Sequence, residues 1–218
     1  MSKKTVVFDL DGTLISIDCT QQWLQFLVNE KIPGAKQALK LCTSIMQSYA
    51  NGTMNMADYM DAWLNPIAGY VQQDVTSLVS RFIEQEIHSC IFHEAFKRVN
   101  WHLEQGDEVA IVSASPHFIV RPIADLFGVN HVFGIDVELI EQTFSGKAIP
   151  PFCFREGKVD AIIGWLQVVN ATQLDYAYSD SINDVAILSL AQQAFCINPD
   201  PALALLAREK AWHNLEWQ

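Results

Sequence analysis

From Val6 to Ile15 the chain reads VVFDLDGTLI, and this stretch decides the predicted fold. Its first three residues are β-branched or aromatic and are followed by charge and glycine, so they predict a short buried strand. Asp9 and Asp11 stand at the carboxyl end of that strand, which is the edge where open α/β sheets bind ligands. Gly12 permits a sharp backbone turn directly after them. Two carboxylates so placed can hold a hard divalent cation, or act as a nucleophile and a proton donor.

The composition is that of a globular chain with a strong negative charge. Its 218 residues can form one large domain or a core domain with an insert, and half of them are hydrophobic. The 14 basic and 25 acidic residues leave a net charge of −11, which repels nucleic acid and anionic membrane surfaces. We therefore expect neither as a partner. An anionic substrate is compatible with this net charge, because a bound cation and local lysines can reverse the electrostatic potential inside a pocket.

The cysteines and the first residues indicate a soluble cytoplasmic protein. Five cysteines are scattered along the chain without a C-x-x-C pair, which is typical of free thiols in a reducing compartment. The chain starts without a signal-peptide pattern, and no apolar run is long enough to cross a bilayer. We predict a cytoplasmic location, and the sequence leaves the oligomeric state open.

A block of helical sequence separates the first strand from the rest of the chain. Between Thr20 and Arg98 the apolar residues recur at helical spacing, which predicts four helices in a small bundle. The breaks between them fall at Ile32-Pro33-Gly34, Asn51-Gly52 and Asn65-Pro66. This places a helical cap at residues 17–98, inserted after the first strand of an α/β core formed by residues 1–16 and 99–218.

Beyond the cap, strand and helix signals alternate, which predicts a parallel, doubly wound sheet. The strand signals lie at residues 108–112, 131–133, 174–178 and 194–197. The helical signals lie at residues 115–126, 158–168, 182–190 and 201–210. Residues 134–149 instead predict a hairpin with its turn near Ser145-Gly146. The last eight residues, AWHNLEWQ, are compatible with a docked helix end or a dimer contact.

Three further stretches place polar groups beside strand ends or helix starts. Ser113 follows a strand signal, where a hydroxyl and backbone N–H groups can hold a phosphate oxygen. Lys158 falls at a helix start, where a cation opposes the helix dipole and a fixed anion nearby would explain it. Asp180 follows the next strand signal, with Asn183 and Asp184 shortly after it. Acids at a strand end can complete a magnesium site.

Each of these stretches also has an ordinary structural explanation. The D-x-D-G pattern occurs in loops whose acids only face solvent. Ser113 or Ser115 can cap the following helix, and we favour Ser115 for that role. Lys158 taken alone is typical of a solvated surface lysine, and Asp180 taken alone is typical of a helix cap. The occurrence of all four stretches at the right places of one α/β pattern favours a catalytic site.

Together, the four stretches resemble the signature motifs of the haloacid dehalogenase-like (HAD) hydrolase superfamily, in order and in spacing. The D-x-D-G-T-L motif corresponds to Asp9–Leu14, the strand ending in Ser to Ser113, the lysine motif to Lys158, and the S-D-x-x-x-D motif to Ser179–Asp184. A helical insert between the first two motifs is similar to the C1-capped, phosphoserine-phosphatase-like subgroup. The resemblance covers essentially the whole chain and implies a Rossmannoid α/β core with an inserted helical-bundle cap.

The resemblance also implies a mechanism. Asp9 would attack phosphorus and form an aspartyl-phosphate, while Asp11 would protonate the leaving alcohol and later deprotonate water. The implied magnesium ligands are Asp9, the backbone carbonyl of Asp11, and Asp180, with Asp184 orienting the metal shell or Lys158. The implied phosphate-binding residues are Ser113, Ala114, Lys158 and Asn183.

Three departures from phosphoserine phosphatases concern the substrate. Those enzymes carry a Glu nine residues after the nucleophile, which contacts the substrate amine. Here that position is Asp18, a shorter acid, and we assign substrate selectivity to it. The insert before Arg98 contains only Arg81, which we cannot place against a serine carboxylate, and Gly134-Ile-Asp136 replaces the more usual G-T-R/E. These departures weaken phosphoserine as the substrate and leave the phosphatase assignment intact.

We therefore predict a magnesium-dependent phosphomonoesterase that acts on a small phosphorylated metabolite. Three alternatives stay open: a lipid-headgroup phosphatase of the phosphatidylglycerophosphate type, an Asp-phosphorylated signalling module of the receiver type, and phosphotransfer or mutase chemistry. The acidic charge and the missing membrane anchor argue against the first alternative. The signalling module is disfavoured because Asp11, as a positioned acid and base, and the large cap over the site both favour turnover. Phosphotransfer or mutase chemistry would be identified by re-phosphorylation of the product instead of net phosphate release.

Overall fold

The computed structural model describes residues 3–49 and 55–218, apart from the side chains of residues 47–49. Its strands are β1 (Thr5–Phe8), β2 (Glu108–Pro116), β3 (His131–Ile140), β4 (Thr143–Ile149), β5 (Leu174–Ser179), β6 (Ala191–Ile197) and β7 (His213–Leu215). They form one sheet in the order β4-β3-β2-β1-β5-β6-β7. Only β3 and β4 pair antiparallel among these strands. The predicted α/β class with a mostly parallel sheet is confirmed.

The helices of the described residues agree with the predicted pattern except for α5, which was not predicted. They are α1 (Cys19–Asn29), α2 (Ala35–Tyr49), α3 (Met56–Leu64), α4 (Gln72–Phe82), α5 (His93–Glu104), α6 (His117–Leu126), α7 (Glu156–Val168), α8 (Val185–Leu190) and α9 (Pro201–Lys210). Four of them, α1 to α4, form the insert between β1 and α5. The break predicted at Asn51-Gly52 lies outside the described residues. No helix in the described part of the chain has the length and apolar composition needed to cross a membrane.

β1 lies at the centre of the sheet because its residues are apolar on both faces. Val6, Val7 and Phe8 are fully buried between β2 on one side and β5 on the other. A strand covered on both faces reads as a continuous apolar run. The central position aims the end of β1, with its two acids, at the carboxyl edge of the sheet.

The insert leaves and rejoins the core at neighbouring points. Ser16 N donates to Cys90 O at 2.8 Å, and Phe92 N donates to Leu14 O at 3.1 Å. The predicted cap limits, residues 17 and 98, remain a prediction. Residue 98 itself lies inside α5, which contacts β2 of the core.

Aromatic side chains fill the interior of the cap. The Trp23 ring lies 5.3 Å from Phe82 and 5.7 Å from Phe26, measured between ring centroids. Trp63 donates from Nε1 to Thr20 O at 3.0 Å. Both tryptophans are fully buried. They hold the four helices together as packing residues.

The β3–β4 hairpin joins the cap to the core through main-chain hydrogen bonds. Gly69 N donates to Phe144 O at 2.8 Å, and Phe144 N donates to Tyr70 O at 2.9 Å. A Cβ at Gly146 would lie only 2.9 Å from Ala68 Cβ, so a glycine allows the close approach. The hairpin is thus in direct contact with the segment that joins α3 to α4.

The turn of this hairpin is not where the sequence predicts it. Ile140 pairs with Thr143, so the two-residue loop is Glu141-Gln142, with φ values of 47° and 61°. Asn and Gly are the usual residues for such left-handed pairs, so Glu-Gln carries no turn signal. A contact from the cap supports the loop instead, since Gln72 N donates to Gln142 O at 2.7 Å. Ser145-Gly146 lies inside β4, and that prediction is wrong.

The C-terminal residues add an edge strand. β7 pairs parallel with β6, and Trp217 beyond it is buried. Asn198 fixes the tail through both of its amide atoms, because Nδ2 donates to Trp217 O at 3.0 Å and Oδ1 accepts from Trp217 N at 3.0 Å. The tail therefore extends the sheet and is not a helix end.

A buried polar network below the sheet edge fixes β5. Tyr178 donates its hydroxyl proton to His102 Nε2 at 3.0 Å, and His102 Nδ1 faces Asp107 Oδ2 at 2.8 Å. Burial lowers the pKa of His102, opposed by its hydrogen bond to Asp107, so the ring is neutral and accepts at Nε2. Arg98 also donates to the Tyr178 hydroxyl, at 3.2 Å. The main chain of Tyr178 also contacts the first of the two acids, because Tyr178 O accepts from Asp9 N at 2.9 Å. The network is therefore linked directly to the end of β1.

Tyr178→Phe is expected to lower the free energy of unfolding by about 1–3 kcal/mol, because it leaves a buried His102 nitrogen without a partner. Urea denaturation monitored by circular dichroism measures the change. Tyr176→Phe is the matched control, since it removes a hydroxyl on the same strand that has no hydrogen-bond partner among the described residues. Equal midpoints for the two variants would contradict the network's structural role.

Candidate active site

Lys158 is buried and joins two carboxylates. Its Nζ donates to Asp9 Oδ1 at 2.7 Å and to Asp184 Oδ2 at 2.9 Å, and its side chain is only 5% exposed. Burial lowers the pKa of Lys158, but Asp184 and Asp9 outweigh it and hold the pKa above its ordinary value. These contacts therefore favour the charged ammonium form at neutral pH. The alternative of a solvated surface lysine is wrong.

The same two carboxylates differ in how they are held. Ser179 Oγ donates to Asp184 Oδ2 at 2.8 Å, which fixes that side chain between Ser179 and Lys158. Asp9 is 6% exposed, and burial raises its pKa well above the ordinary value, although Lys158 opposes the rise. An additional cation would favour the ionised form of Asp9 further. With such a cation beside it, Asp9 would carry a negative charge at the tip of β1.

Asp180 reaches back across the sheet edge to the β1 loop. A Cβ on Gly12 would lie 2.3 Å from Asp180 Oδ2, and Gly12 has φ of +76°, so only glycine fits here. Thr13 Oγ1 lies 3.3 Å from Asp9 Oδ2 and also 3.3 Å from Asp180 Oδ1. The two carboxylates are therefore neighbours that share one hydroxyl. Burial, and then Asp184, raise the pKa of Asp180 to about 7.

Asp11 has hydrogen-bond donors on both oxygens. Cys19 N donates to Oδ1 at 2.7 Å, while Ser115 Oγ and Ser113 Oγ donate to Oδ2 at 2.8 and 3.2 Å. Burial, and then the charge of Asp18, raise the pKa of Asp11, and the hydrogen bonds from Cys19 and Ser115 oppose them. This environment keeps a proton on Asp11 at higher pH than on an exposed aspartate.

Ser115 is not the helix cap that the sequence predicts. β2 continues through Pro116, and α6 has no side-chain cap. Ser113 and Ser115 are two residues apart on one strand and so point to one face, where both hydroxyls meet Asp11. The interpretation of Ser115 as a cap is wrong, because the strand runs further than its apolar signal.

The other predicted site residues lie around the same sheet edge, and some of them line the cavity above the acids while others do not. Ala114 and Asn183 line the cavity above the acids, but Ser113 is fully buried and does not. Asp18 lines the cavity and also caps α1, accepting from Thr20 N at 2.9 Å and Gln21 N at 3.1 Å. Asp180 is not a cap, because Ser181 accepts from Asn183 N instead. The roles of these residues remain predictions.

A cavity of about 330 Å³ opens over the acids, between the core and the cap. Its floor is formed by core residues and its roof by α1, α2 and α3 of the cap. The residues that line it are Asp9, Asp11, Gly12, Ser16, Ile17, Asp18, Thr20, Met46, Met56, Tyr59, Ala114, Ser115, Phe154, Lys158, Asp180, Ser181, Asn183 and Asp184. Its size suits a small molecule.

Sequence reasoning missed several residues of the site. Thr13 bridges two acids, and its position in the D-x-D-G-T motif is the signal that was available. Ser115 could have been found from the alternation of a longer strand. The cap residues Met46, Met56 and Tyr59 carry no local signal, because only the packing of separate helices brings them over β1.

The donor set fits a hard divalent cation. Asp9 offers a buried carboxylate with the partly buried carboxylate of Asp180 beside it, and the carboxylates of this edge outnumber the one ammonium of Lys158. No group of three or more His, Cys, Asp and Glu side chains in the described residues forms a metal cluster. The predicted site needs only two such side chains, since a main-chain carbonyl and waters complete the shell of Mg²⁺.

Magnesium is expected to raise the melting temperature more at about pH 8 than at about pH 6. The pKa of Asp180 is raised to about 7, so the metal-free protein loses stability as pH rises through that value. A bound cation offsets the ionised charge. Thermal melts with magnesium or with chelator at both pH values measure the difference.

Two variants control this experiment. Asp180→Asn is expected to lose most of the pH-dependent gain, while Asp160→Asn on the exposed surface of α7 should keep it. A gain in melting temperature that is equal at both pH values in the wild type would contradict the coupling of Asp180 to the cation.

A model of the family described as haloacid dehalogenase-like hydrolase matches residues 6–189. Among curated proteins, a histidinol-phosphatase of Neisseria meningitidis is 28% identical over 99% of this chain and 100% of its own. The phosphoserine phosphatase SerB1 of Mycobacterium tuberculosis is 30% identical over 67% of this chain and 48% of its own.

Solved structures share the fold. A protein with unknown function from Bordetella pertussis Tohama I superposes with a TM-score of 0.90, 28% identity and 99% coverage of both chains. A substrate-bound phosphoserine phosphatase superposes with a TM-score of 0.72 and 16% identity, over 99% of this chain and 93% of that one. Because the family model covers most of the chain and its relatives are phosphatases, the chain belongs to the haloacid dehalogenase-like hydrolase family and is a phosphomonoester hydrolase.

Proposed function

We propose that the protein hydrolyses a small phosphomonoester in two steps, with magnesium and an aspartyl-phosphate intermediate. The observation that carries the proposal is the different setting of the two acids at the tip of β1. Asp9 lies 2.7 Å from the ammonium of Lys158, which favours a carboxylate. Burial raises the pKa of Asp11, although hydrogen bonds from an amide and a hydroxyl oppose the rise, and we assign to Asp11 the role of acid and base.

In the first step, an Asp9 oxygen forms a bond to phosphorus while the bond from phosphorus to the ester oxygen breaks. Asp11 transfers its proton to the departing oxygen, so the alcohol leaves neutral. In the second step, Asp11 takes a proton from water, whose oxygen attacks phosphorus and releases Asp9 with inorganic phosphate. Asp11 thereby recovers the proton that it gave up.

The phosphoryl oxygens need positive charge and N–H donors around them. Lys158 supplies a fixed ammonium whose position is set by Asp9 and Asp184. The cation would be held by Asp9, Asp180 and the carbonyl of Asp11, and it supplies charge neutralisation for the transferred group. Asn183 lines the cavity and offers an amide to the same oxygens.

Relatives suggest two kinds of substrate for this site. The Neisseria relative is a histidinol-phosphatase, and the Mycobacterium relative is a phosphoserine phosphatase. The phosphate esters that these names imply are small enough for a cavity of about 330 Å³. We therefore place the substrate among small phosphorylated metabolites, and we expect the protein to work in the cytoplasm.

Asp9→Asn is expected to abolish phosphate release, and Asp11→Asn to lower kcat by about 10²- to 10⁴-fold, because it removes the acid and base. Magnesium-dependent release of phosphate from p-nitrophenyl phosphate and a panel of metabolite phosphates measures both. Asp160→Asn is the matched control, since it removes an exposed carboxylate of the core that does not line the cavity.

A chemical test separates hydrolysis from signalling. Wild-type protein quenched during turnover should carry a hydroxylamine-sensitive phosphoryl group that disappears when substrate is exhausted. A long-lived phosphoryl group without phosphate release would contradict the hydrolase proposal and favour an Asp-phosphorylated module. Transfer of the phosphoryl group to a second alcohol instead of water would favour a mutase.

A further inference from the structure

Ser115 lies at the centre of a chain of polar contacts that runs from the cap to Asp11. Its hydroxyl donates to Asp11 Oδ2 at 2.8 Å, and the Cys19 thiol donates to the same hydroxyl oxygen at 3.3 Å. Ser115 is only 2% exposed, and Cys19 is fully buried. Because Ser115 belongs to β2 of the core and Cys19 is the first residue of α1, the chain joins core and cap at one carboxyl group.

The carboxyl group of Asp11 is held at both of its oxygens. Oδ1 accepts from Cys19 N at 2.7 Å, and Oδ2 accepts from Ser113 Oγ at 3.2 Å in addition to Ser115 Oγ. The contact from Ser115 is the shorter of the two hydroxyl contacts. Hydrogen bonds on both oxygens oppose rotation of the carboxyl group and fix its orientation, as a positioned acid requires.

The two serines next to Asp11 are not equivalent. Ser113 Oγ also accepts from Ser115 N at 3.0 Å, and Ser113 is fully buried beneath the acid. Ser115 and Asp11 both line the cavity, whereas Ser113 does not. The hydrogen bond between Ser115 and Asp11 therefore borders the space in which an ester would bind.

A hydroxyl suits a partner that loses and regains a proton. In the proposed reaction, Asp11 is a carboxylic acid before the first step and a carboxylate after it. A hydroxyl has one proton to donate and two lone pairs with which to accept, so Ser115 can donate to the carboxylate and accept from the acid. When it accepts, its own proton can turn towards the sulfur of Cys19, which is a weak acceptor. A main-chain amide can only donate.

We propose that Ser115 is a positioning residue for proton transfer, because its hydroxyl holds the Asp11 carboxyl group in both protonation states. This inference rests on the proposed function, in which Asp11 is the acid and base, and it adds a residue that acts through Asp11. Ser115 would then serve the leaving alcohol in the first step and the attacking water in the second. Loss of its hydroxyl should matter most for esters whose leaving group needs a proton.

Three phosphate esters of similar shape test this dependence on the leaving group. p-Nitrophenyl phosphate releases a stabilised anion that needs little protonation, phenyl phosphate releases a more basic anion, and benzyl phosphate releases an alkoxide that needs the proton most. In Ser115→Ala, kcat/KM should fall about threefold or less for p-nitrophenyl phosphate and about 10- to 100-fold for benzyl phosphate. Phenyl phosphate should fall between them.

The second step gives an independent measurement with p-nitrophenyl phosphate. Hydrolysis of the aspartyl-phosphate requires Asp11 to take a proton from water, so this step should slow in Ser115→Ala while the intermediate still forms. We expect kcat and KM to fall together for this ester. Stopped-flow absorbance should show a rapid release of p-nitrophenol that approaches one equivalent per active site before the slow steady state.

Further variants control these measurements. Ser115→Thr keeps a hydroxyl and should restore kcat/KM for benzyl phosphate to within about threefold of the wild type. Ser145→Ala removes a hydroxyl from β4 outside the cavity and should leave all three esters unchanged. Asp11→Asn should show the same dependence on the leaving group more strongly. If Ser115→Ala does not fold, Ser115→Cys provides the same comparison, since a thiol is a weaker donor.

The outcomes separate this inference from the function beneath it. An equal loss of kcat/KM for all three esters in folded Ser115→Ala would assign Ser115 to the phosphoryl group and overturn the inference, as would unchanged kinetics. In either case the phosphatase stands if Asp11→Asn depends on the leaving group. Absence of that dependence in Asp11→Asn would overturn the role of Asp11 itself. Absence of magnesium-dependent phosphate release from every ester would overturn the proposed function.

Discussion

The buried ammonium of Lys158 is the interaction on which the candidate site depends. It joins Asp9 from β1 to Asp184 after β5, at 2.7 and 2.9 Å, and it comes itself from the start of α7. A buried lysine is costly unless its charge is matched, and buried acids are costly for the same reason. Each group therefore makes the burial of the others possible. Three segments that are far apart in sequence are held at one sheet edge by this pairing.

The excess of carboxylates at that edge supports the proposed cation site. The pKa values of Asp9, Asp11 and Asp180 are all raised, chiefly by burial. A protein that keeps such acids together loses stability at neutral pH unless another positive charge joins Lys158. The acids also differ in their partners, because Asp11 accepts from the Ser115 hydroxyl while Asp9 accepts from the Lys158 ammonium.

We propose that reaction and substrate selection are divided between the two parts of the fold. The strand tips of the core hold the acids, whereas α1, α2 and α3 of the insert form the roof. The hairpin connects the two parts, since Gly69 N and Tyr70 O of the cap bond to both main-chain atoms of Phe144. Changes in the roof can therefore alter which ester binds without disturbing the acids below it.

Much of the fold was predictable from local pattern. The apolar run at Val6–Phe8 predicted a buried strand because a central parallel strand is covered on both faces. The helix from Pro201 to Lys210 was predicted with its observed limits, since Asp200 caps it and Pro201 starts it. The hairpin turn and β7 were not predicted. Glu141-Gln142 and His213–Leu215 carry no strong propensity and are set by their partners, the cap and β6.

The sequence by itself determined which acids and which lysine form the candidate site and in which order they follow along the chain. Phosphoryl transfer requires those residue types, and the ends of the parallel strands bring them to one sheet edge. The tertiary structure alone decided three further features. It turned Ser115 onto Asp11, it set Thr13 between two carboxylates, and it brought Met46 and Met56 over the acids. These contacts join residues from separate elements, and local sequence pattern encodes only periodicity within one element. The acids and the lysine of the site could therefore be predicted from sequence motifs, whereas the cap residues over them could not, because packing between separate elements places them.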